Sequence, residues 1–197
     1  MNILILTPFY PPVISTLSNM VYELSTKLFN KGHNVSVCTT MVRKRLSPNE
    51  RKKEIKHHSF ENDVKIIRIE SKYQFSPNFI VRGIYQILFP YLFWFKIKNK
   101  IGTNIDVIFT YSPPLAWAVL GRKIKNKTRA RHILNIQDIF PQNAIDLGVL
   151  KNRLLIKYFE YQEKNVYESA DKLTSHTKMS RKFLISNKGV PEPLIEL

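Results

Sequence analysis

Cysteine, glycine and acidic residues are all scarce in this sequence of 197 residues. A lone cysteine, Cys38, excludes a disulfide framework and a cysteine-based metal site within the chain. The 6 glycines are too few for a collagen-like or linker-rich chain. The 5 histidines show no metal-ligand spacing, so no bound metal is expected. Because nothing requires an oxidising compartment, the sequence predicts a cytoplasmic protein.

Long uninterrupted apolar runs are also missing. The longest candidate, 84–97, contains Gln86, Pro90 and Lys96. A helix that spans a bilayer needs roughly 18 clean apolar residues. The first residues carry no positive region ahead of a long apolar run, which a secretory signal would need. The sequence therefore predicts neither a transmembrane helix nor a signal peptide.

The charge of the chain is strongly one-sided, with 31 Lys and Arg against 15 Asp and Glu and a formal net charge of +16. An apolar share of 44% nevertheless indicates a globular chain. Such a charge suits nucleic acid, an anionic membrane or a phosphorylated ligand, and it also fits a merely solvated surface. Residues 41–62 hold a basic cluster and are expected to form a mobile loop. The cluster lacks interleaved aromatics and no recognition module is visible, so nucleic acid is not an expected partner.

Apolar strands alternate with amphipathic helices along the chain. The continuous apolar run at 3–6 predicts a strand that is buried on both faces, and another strand is expected at 106–111. The spacing of apolar residues from Leu17 to Leu28 predicts an amphipathic helix. Further strands are expected at 35–39, 64–69, 132–136 and 170–175, and further helices at 79–100, 115–125, 154–167 and 178–187. This order predicts an α/β fold with a doubly wound, Rossmann-like parallel sheet, in a single domain over 1–197.

In a doubly wound sheet, ligands bind beyond the carboxyl ends of the strands. This rule places Tyr111, Ser112 and Gln137 in the predicted cleft. The loop after the first strand leads directly into a helix that Ser15 or Thr16 can cap, and a helix N-terminus binds anions. A stiff turn that only ends the strand is an equally good interpretation of that loop.

Three carboxylates are candidates for acid–base chemistry. Asp138 lies just past the strand 132–136, where it could take a proton from a hydroxyl nucleophile. On the residues alone, a helix cap or turn former ahead of Pro141 is the better interpretation of Asp138. Glu160 and Glu163 share one helix face, but ion pairs with lysine are the commoner use of such a pair.

The segment 79–101 combines large aromatic residues with flanking cations, which is typical of a helix in the interface of a membrane. An ordinary core helix accounts for the apolar half equally well, but one core face cannot hide so many aromatics. The predicted membrane contacts are Arg82, Tyr85, Phe89, Trp94, Phe95, Lys96 and Lys98.

Together these motifs resemble the N-terminal domain of a family 4 glycosyltransferase with the GT-B fold. The resemblance is closest to the bacterial polysaccharide branch that includes the O-antigen fucosamine transferases, and it runs over essentially the whole chain. It rests on the stretches 3–12, 28–40, 106–115, 134–141 and 160–171.

The resemblance implies a retaining transferase that acts in the synthesis of cell-surface polysaccharide such as O-antigen. An N-acetylated sugar would move from a nucleoside diphosphate donor, a UDP-sugar, to a lipid-linked saccharide acceptor at the inner face of the cytoplasmic membrane. No metal or other bound cofactor is implied, since helix N-termini and basic side chains can neutralise the diphosphate. The resemblance places Asp138 where the family has its catalytic or acceptor-binding residue, and it gives Glu163 a place on the acceptor side.

Two features depart from the family's pattern. The loop after the first strand usually carries glycines, whereas residues 13–19 contain none, so the hydroxyls of Ser15, Thr16 and Ser18 are expected to meet phosphate or acceptor. Members also continue into a second Rossmann-like domain for the nucleotide-sugar, and this sequence stops at Leu197. We therefore expect the acceptor-side lobe without its donor lobe. The alternatives are a non-catalytic membrane-docking subunit, with the donor domain on a partner chain, and an inactive truncated remnant.

Overall fold

The computed structural model describes residues 1–43, 46–52, 58–71 and 76–197. These residues form eight strands and seven α-helices. The chain divides into two compact units, Met1–Ile108 and Phe109–Leu197. Strands alternate with helices and most strand pairs are parallel, which confirms the predicted α/β class. The assignment of 1–197 to one domain stays a prediction.

Parallel pairing dominates the sheet of the first unit. Its strands are β1 (Asn2–Thr7), β2 (Asn34–Met41), β3 (His58–Glu61) and β4 (Val64–Glu70). They lie in the order β3-β4-β2-β1, and only β3 runs antiparallel to its neighbour. Ile5 of β1 is paired with Val37 of β2, and both side chains are fully buried. The continuous apolar runs of the sequence therefore form the interior of the sheet.

The helices of the first unit begin and end at residues of the expected type. They are α1 (Thr16–Asn30), α2 (Pro48–Lys52) and α3 (Phe79–Ile97). Ser15 caps α1, and Gly32 follows its end with a φ of +82°, a backbone conformation that favours glycine. Helix α3 continues through Pro90 without a restart. Within the described ranges, no helix has the length and apolarity needed to cross a bilayer.

The prediction of one mobile loop over 41–62 is wrong for the described part of that segment. It contains α2 and β3, and β3 pairs with β4 as an antiparallel hairpin. The hydrophobic pattern of residues 58–61 did not predict a strand, because an edge strand with one neighbour needs no continuous apolar run. The basic residues at 44, 45, 53 and 56 lie outside the described residues.

The second unit has the same alternating build. Strand β5 (Val107–Ser112) lies across the division between the units; β6 (Arg131–Ile136), β7 (Lys172–Ser175) and β8 (Ile195–Glu196) follow in that order in the sheet. The helices are α4 (Leu115–Thr128), α5 (Gln142–Asp146), α6 (Arg153–Ser169) and α7 (Lys178–Lys188). Helix α4 packs against β6 and α6. Trp117 of α4 is fully buried.

A polar pair lies inside the core of the second unit. His132 Nε2 is 2.9 Å from Thr110 Oγ1, and His132 is fully buried. A Cβ atom at Gly121 of α4 would stand 2.6 Å from both of these atoms, so the close approach of α4 requires glycine. Burial, helped by the nearby charge of Lys125, lowers the pKa of His132 to about 4. The imidazole is therefore neutral at physiological pH.

Candidate functional site

The loop that follows β1 is held in place from two neighbouring strands. Thr40 Oγ1 donates a hydrogen bond of 2.8 Å to the carbonyl of Pro8. Arg68 Nη2 donates one of 2.7 Å to the carbonyl of Pro11. Between these contacts Tyr10 turns inward and is buried. The loop leaves β1 with a fixed path although it contains no glycine.

Arg68 is a buried cation that the sequence analysis did not select. Its guanidinium donates to Ser59 Oγ at 2.8 Å and lies 2.8 Å from a Glu61 oxygen, both on the β3 edge strand. It also lies over the Tyr10 ring, 5.9 Å from the centroid. A buried charge needs partners of this kind. A cation between Ile67 and Ile69, in the strand predicted at 64–69, was the signal that could have indicated it.

The N-terminus of α1 is where the sequence predicts contact with phosphate. Ser15 Oγ accepts a hydrogen bond from the backbone N–H of Ser18 at 3.1 Å, so of the two predicted caps Ser15 is the one used. Thr16 is exposed. Ser18 is fully buried, and its hydroxyl has no hydrogen-bond partner among the described residues. The first turn contains no acidic side chain that would repel an anion.

In the second unit, a chain of amides and hydroxyls follows the carboxyl ends of the strands. The Gln137 side-chain amide donates to Asn135 Oδ1, and Asn135 Nδ2 donates to Thr174 Oγ1 at 2.7 Å. The backbone N–H of Gln137 donates to the carbonyl of Ser112 at 2.8 Å. Ser175, beside this network, is buried with a hydroxyl that has no partner in the described part of the chain. Sequence reasoning found Ser112 and Gln137 but missed the others, although polar residues in short apolar strands are themselves a signal.

The side chain of Tyr111, in β5, is buried rather than exposed to solvent. Only 3% of it is exposed, and its ring packs edge-on against Phe109 with centroids 5.3 Å apart. Burial raises the pKa of Tyr111 to about 12. The phenol therefore stays protonated at neutral pH and does not act as a base.

Asp138 is exposed, two residues past the end of β6. Its carboxylate makes no hydrogen bond or ion pair within the described ranges. Helix α5 begins at Gln142, with Pro141 at the N-cap position, so Asp138 does not cap it. The helix-cap interpretation is therefore wrong, and the carboxylate is open to a ligand in solution.

Glu163 is placed in the interior, which corrects its assignment to an acceptor cleft. It is 2% exposed, accepts a hydrogen bond from Tyr167 Oη at 3.1 Å and pairs with Lys188 Nζ at 2.8 Å. Burial raises the pKa of Glu163, and these two partners act against the rise. The ion-pair alternative describes Glu163 better, with a lysine 25 residues further along the chain.

The predicted membrane contacts on α3 divide by exposure. Phe95, Lys96 and Lys98 are exposed, and Lys98 Nζ lies 5.2 Å from the Phe95 ring centroid. Arg82, Tyr85 and Trp94 are half-buried. Phe89 is only 2% exposed and stacks on Phe93, so it packs in the core and its assignment to the membrane is wrong. The exposed apolar residues of α3 that the sequence analysis did not select are Val81, Ile84, Leu88, Tyr91 and Leu92.

No residue set with the composition of a metal site was found in the described ranges: nowhere do three or more His, Cys, Asp or Glu side chains come together. Past the strand ends of the second unit lie the exposed carboxylate of Asp138, amides and hydroxyls, and the first unit has, separately, the N-terminus of α1. These groups can accept a proton, orient hydroxyls and bind an anion.

The family model described as Glycosyltransferase Family 4 matches residues 17–197. The chain belongs to this family, and the predicted glycosyltransferase class is confirmed at that level. The resemblance to its fucosamine transferase branch is not tested by this match and stays a prediction.

Two further similarities concern parts of larger proteins. A protein of Pseudomonas aeruginosa described as "Probable glycosyltransferase WbjE" is 29% identical over 97 residues, which is 47% of this chain and 23% of that protein. A solved structure described as "Trehalose-6-phosphate from E. coli bound with UDP-2-fluoro glucose" matches with a TM-score of 0.57 and 11% identity, over 92% of this chain and 41% of that one. That similarity shows the GT-B fold. In both comparisons the chain spans less than half of the other protein.

Proposed function

We propose that this chain is the acceptor side of a retaining glycosyltransferase. The enzyme would transfer an N-acetylated sugar from a UDP-sugar to a lipid-linked saccharide at the inner face of the cytoplasmic membrane, in the synthesis of cell-surface polysaccharide such as O-antigen. Membership of family 4 supports sugar transfer, and the word "glycosyltransferase" in the description of WbjE agrees with it. The observation that carries the acceptor-side role is the exposed, unpartnered carboxylate of Asp138.

Asp138 is assigned the proton of the acceptor hydroxyl. The acceptor oxygen approaches the anomeric carbon on the same face from which the diphosphate departs, so the configuration is retained. As the new bond forms, the bond from that carbon to the diphosphate oxygen breaks, and the diphosphate leaves with the electron pair. The hydroxyl proton goes to the Asp138 carboxylate. The amide of Gln137, held by Asn135, lies next in the chain and is suited to orient the hydroxyl. Tyr111 is buried and stays protonated, so it is assigned no part in the proton transfer.

An anionic group of the donor or of the acceptor is assigned to the N-terminus of α1, on the geometry of the first unit alone. Backbone N–H groups and the helix dipole favour an anion there, and the side chains of Ser15 and Thr16 add hydroxyls. The solved structure with a similar fold carries UDP-2-fluoro glucose, which supports a nucleotide-sugar donor. No residue of this chain is assigned to the nucleotide base.

Membrane contact is assigned to α3. The helix carries no acidic residue, and Phe95, Lys96 and Lys98 present an aromatic ring and two ammonium groups to solvent. A net charge of +16 favours an anionic lipid surface. We place the protein in the cytoplasm, at the inner face of the membrane.

Sugar transfer is tested with the purified chain, alone and together with a separately expressed donor-binding domain of a family 4 glycosyltransferase. Radiolabelled UDP-N-acetylglucosamine and membranes are supplied, and label in the extracted lipid is measured. We expect transfer in the presence of both parts. Absence of transfer with a panel of UDP-sugars, although both parts are folded, would overturn the proposed activity.

A non-catalytic docking subunit is the second candidate, and the exposed α3 surface favours it equally. That candidate requires the chain to bind anionic membranes while Asp138 contributes nothing to turnover. Transfer that survives the replacement of Asp138 would support it.

A further inference from the structure

An apolar groove runs along α3 in the first unit and shares Tyr85 and Lys96 with the predicted membrane contacts. It has a volume of about 600 Å³, within the range of pockets that hold drug-sized ligands. Its walls are built from the end of β4 and from one stripe of α3. The apolar side chains that line it are Ile69, Val81, Ile84, Leu88, Leu92 and Phe93.

The groove has a defined direction with respect to the sheet. Tyr85 Oη accepts a hydrogen bond from Ser71 Oγ at 3.0 Å, which fixes the first half of α3 beside the carboxyl end of β4. Lys65 Nζ donates to the carbonyl of Lys100 at 2.8 Å, which fixes the end of α3 beside the start of β4. The helix therefore runs antiparallel to β4, and one end of the groove opens at the carboxyl edge, where ligands of such sheets bind.

Its length suits an extended chain. From Val81 to Lys96, which both line the groove, α3 advances 15 residues, or about 22 Å at 1.5 Å per residue. The apolar lining is already partly exposed: Ile84 is 54%, Leu88 47% and Leu92 48% accessible. A flat interfacial helix needs no such concavity, whereas a hydrocarbon chain gains about 0.8 kcal/mol for each CH₂ group that it buries.

The charges around the groove favour an anionic ligand. Arg82 lies in the first turn of α3, and Lys96 lines the other end. Glu70 is the acid in the lining, and Arg43 lies 3.7 Å from it. The Glu70 carboxylate is thus balanced by Arg43, and Arg82, which follows the lining residue Val81 in the chain, adds a second cation to this end of α3.

From these observations we propose that the groove binds the hydrocarbon chain of a lipid-linked, phosphate-bearing acceptor, with the phosphate end toward Arg43 and Arg82. The inference rests on the proposed function, because it names what holds the lipid part of the proposed acceptor. A single lipid chain alone holds a protein only weakly on a membrane. The bound hydrocarbon chain and the cationic surface would together provide a stable attachment.

Binding is tested with the chain as it exists, without donor sugar. The probe is a fluorescent single-chain prenyl monophosphate, used below the concentration at which it forms micelles, and fluorescence anisotropy gives the Kd and stoichiometry. We expect one probe per chain, and at least a tenfold weaker Kd for Ile84→Gln combined with Leu88→Gln. Both positions are already half exposed, so the variant should fold, and circular dichroism verifies that it does.

Tyr91→Gln is the matched control. Tyr91 lies on the same helix and is 47% exposed, as Leu88 is, but it does not line the groove. We expect its probe affinity to stay within twofold of the wild type. Equal probe binding by the wild type and the groove variant would overturn the proposal, and so would a loss that is the same in Tyr91→Gln.

Other occupants give different results. Vesicles of phosphatidylglycerol that bind the chain while the free prenyl phosphate does not would show bilayer adsorption only, and would overturn the proposal. A dimer in solution that Leu88→Gln dissociates, with no probe binding, would assign the groove to a second copy. Probe binding without sugar transfer would contradict the proposed function alone, whereas transfer to a short water-soluble acceptor without probe binding would contradict the groove alone.

Discussion

Arg68 of β4 donates a hydrogen bond of 2.7 Å to the backbone carbonyl of Pro11, 57 residues earlier in the chain. The same guanidinium is paired with Glu61 and is 3% exposed. The β3–β4 hairpin therefore holds the loop that leads from β1 into α1. Stability of the hairpin and the position of the proposed anion site depend on one side chain.

Replacement of Arg68 should be costly. Arg68→Met leaves the Pro11 carbonyl and the Glu61 carboxylate without their partner, and we expect the free energy of unfolding to fall by about 3 kcal/mol. Arg43→Met is the control, because Arg43 is an exposed partner of Glu70 at 3.7 Å, and we expect a loss of at most about 1 kcal/mol. Urea denaturation measures both. Similar losses in the two variants would contradict a structural role for the Arg68 contacts.

Asp138→Asn should abolish most activity and leave the fold intact. In the reconstituted two-part enzyme we expect kcat to fall on the order of 10²-fold or more, the usual contribution of a general base. Asp146→Asn is the control: Asp146 is an exposed carboxylate in α5 that accepts a hydrogen bond from Gln142, and its replacement should leave kcat unchanged. Unchanged turnover in Asp138→Asn would remove Asp138 from the mechanism.

Two glycines in helices should respond in opposite directions to alanine. At Gly121 the added Cβ would meet His132 and Thr110 at 2.6 Å, and we expect a destabilisation of about 1–3 kcal/mol. At Gly83 nothing lies within 4 Å of the added Cβ, and alanine should stabilise α3 by roughly 0.5–1 kcal/mol. Urea midpoints of the two single variants provide the comparison. A stable Gly121→Ala protein would show that α4 is not held against the polar pair.

His132 should make the protein less stable in mild acid. Its pKa is lowered from 6.5 to about 4 by burial and by Lys125, while Asp171 acts in the opposite direction. Below pH 6.5 the unfolded chain binds a proton that the folded chain does not, so stability falls as the pH drops from 6.5 toward 4. This contribution amounts to about 3 kcal/mol over that range.

The measurement is the free energy of urea unfolding between pH 7 and 4.5. His132→Asn and His132→Gln should flatten the pH dependence, and either variant suffices if the other does not fold. His176→Asn removes an exposed imidazole and is the matched control. An unchanged slope in both His132 variants would contradict the assignment of the acid response to this residue.

Membrane binding should depend on the exposed part of α3. Phe95→Glu and Trp94→Glu place a carboxylate beside Lys96 and Lys98, and we expect both to reduce co-sedimentation with anionic vesicles severalfold at low salt. Tyr161→Glu, at an exposed aromatic position of α6, should keep the wild-type binding. Binding should also weaken with salt, because exposed charges are screened. Full retention of both α3 variants on vesicles would contradict the membrane assignment.

The strands and most helices could be predicted from the sequence because their signals are local. The apolar run 3–6 indicates a strand that is buried on two faces, and the spacing from Leu17 to Leu28 indicates a helix that is buried on one. The structure confirms both elements, as β1 and α1. Ser15 was one of two predicted caps, and the helix boundary followed from it. Local signals failed at β3. Its residues show no strand pattern, and the strand is stabilised by its pairing with β4.

The candidate site was predicted less completely. Position after a strand is enough to select Asp138, Gln137 and Ser112, since the carboxyl ends of parallel strands share one edge. The partner of a charged side chain is set by packing, so neither the pairing of Glu163 with Lys188 nor that of Arg68 with Glu61 could be inferred from spacing. The burial of Phe89 and the exposure of Leu88 likewise depend on the rotation of α3 against β4.

The sequence by itself determined the α/β alternation, the family resemblance and the position of Asp138 past β6. These depend on periodicity and on order along the chain, which need no knowledge of distant contacts. Only the tertiary structure decided which charges are paired inside, that Asp138 is exposed rather than a cap, and that α3 borders a groove. The ion pairs and the groove are contacts between residues far apart in sequence. The burial or exposure of a side chain, which decides how much free energy a charge gains or costs, exists only after the chain has packed.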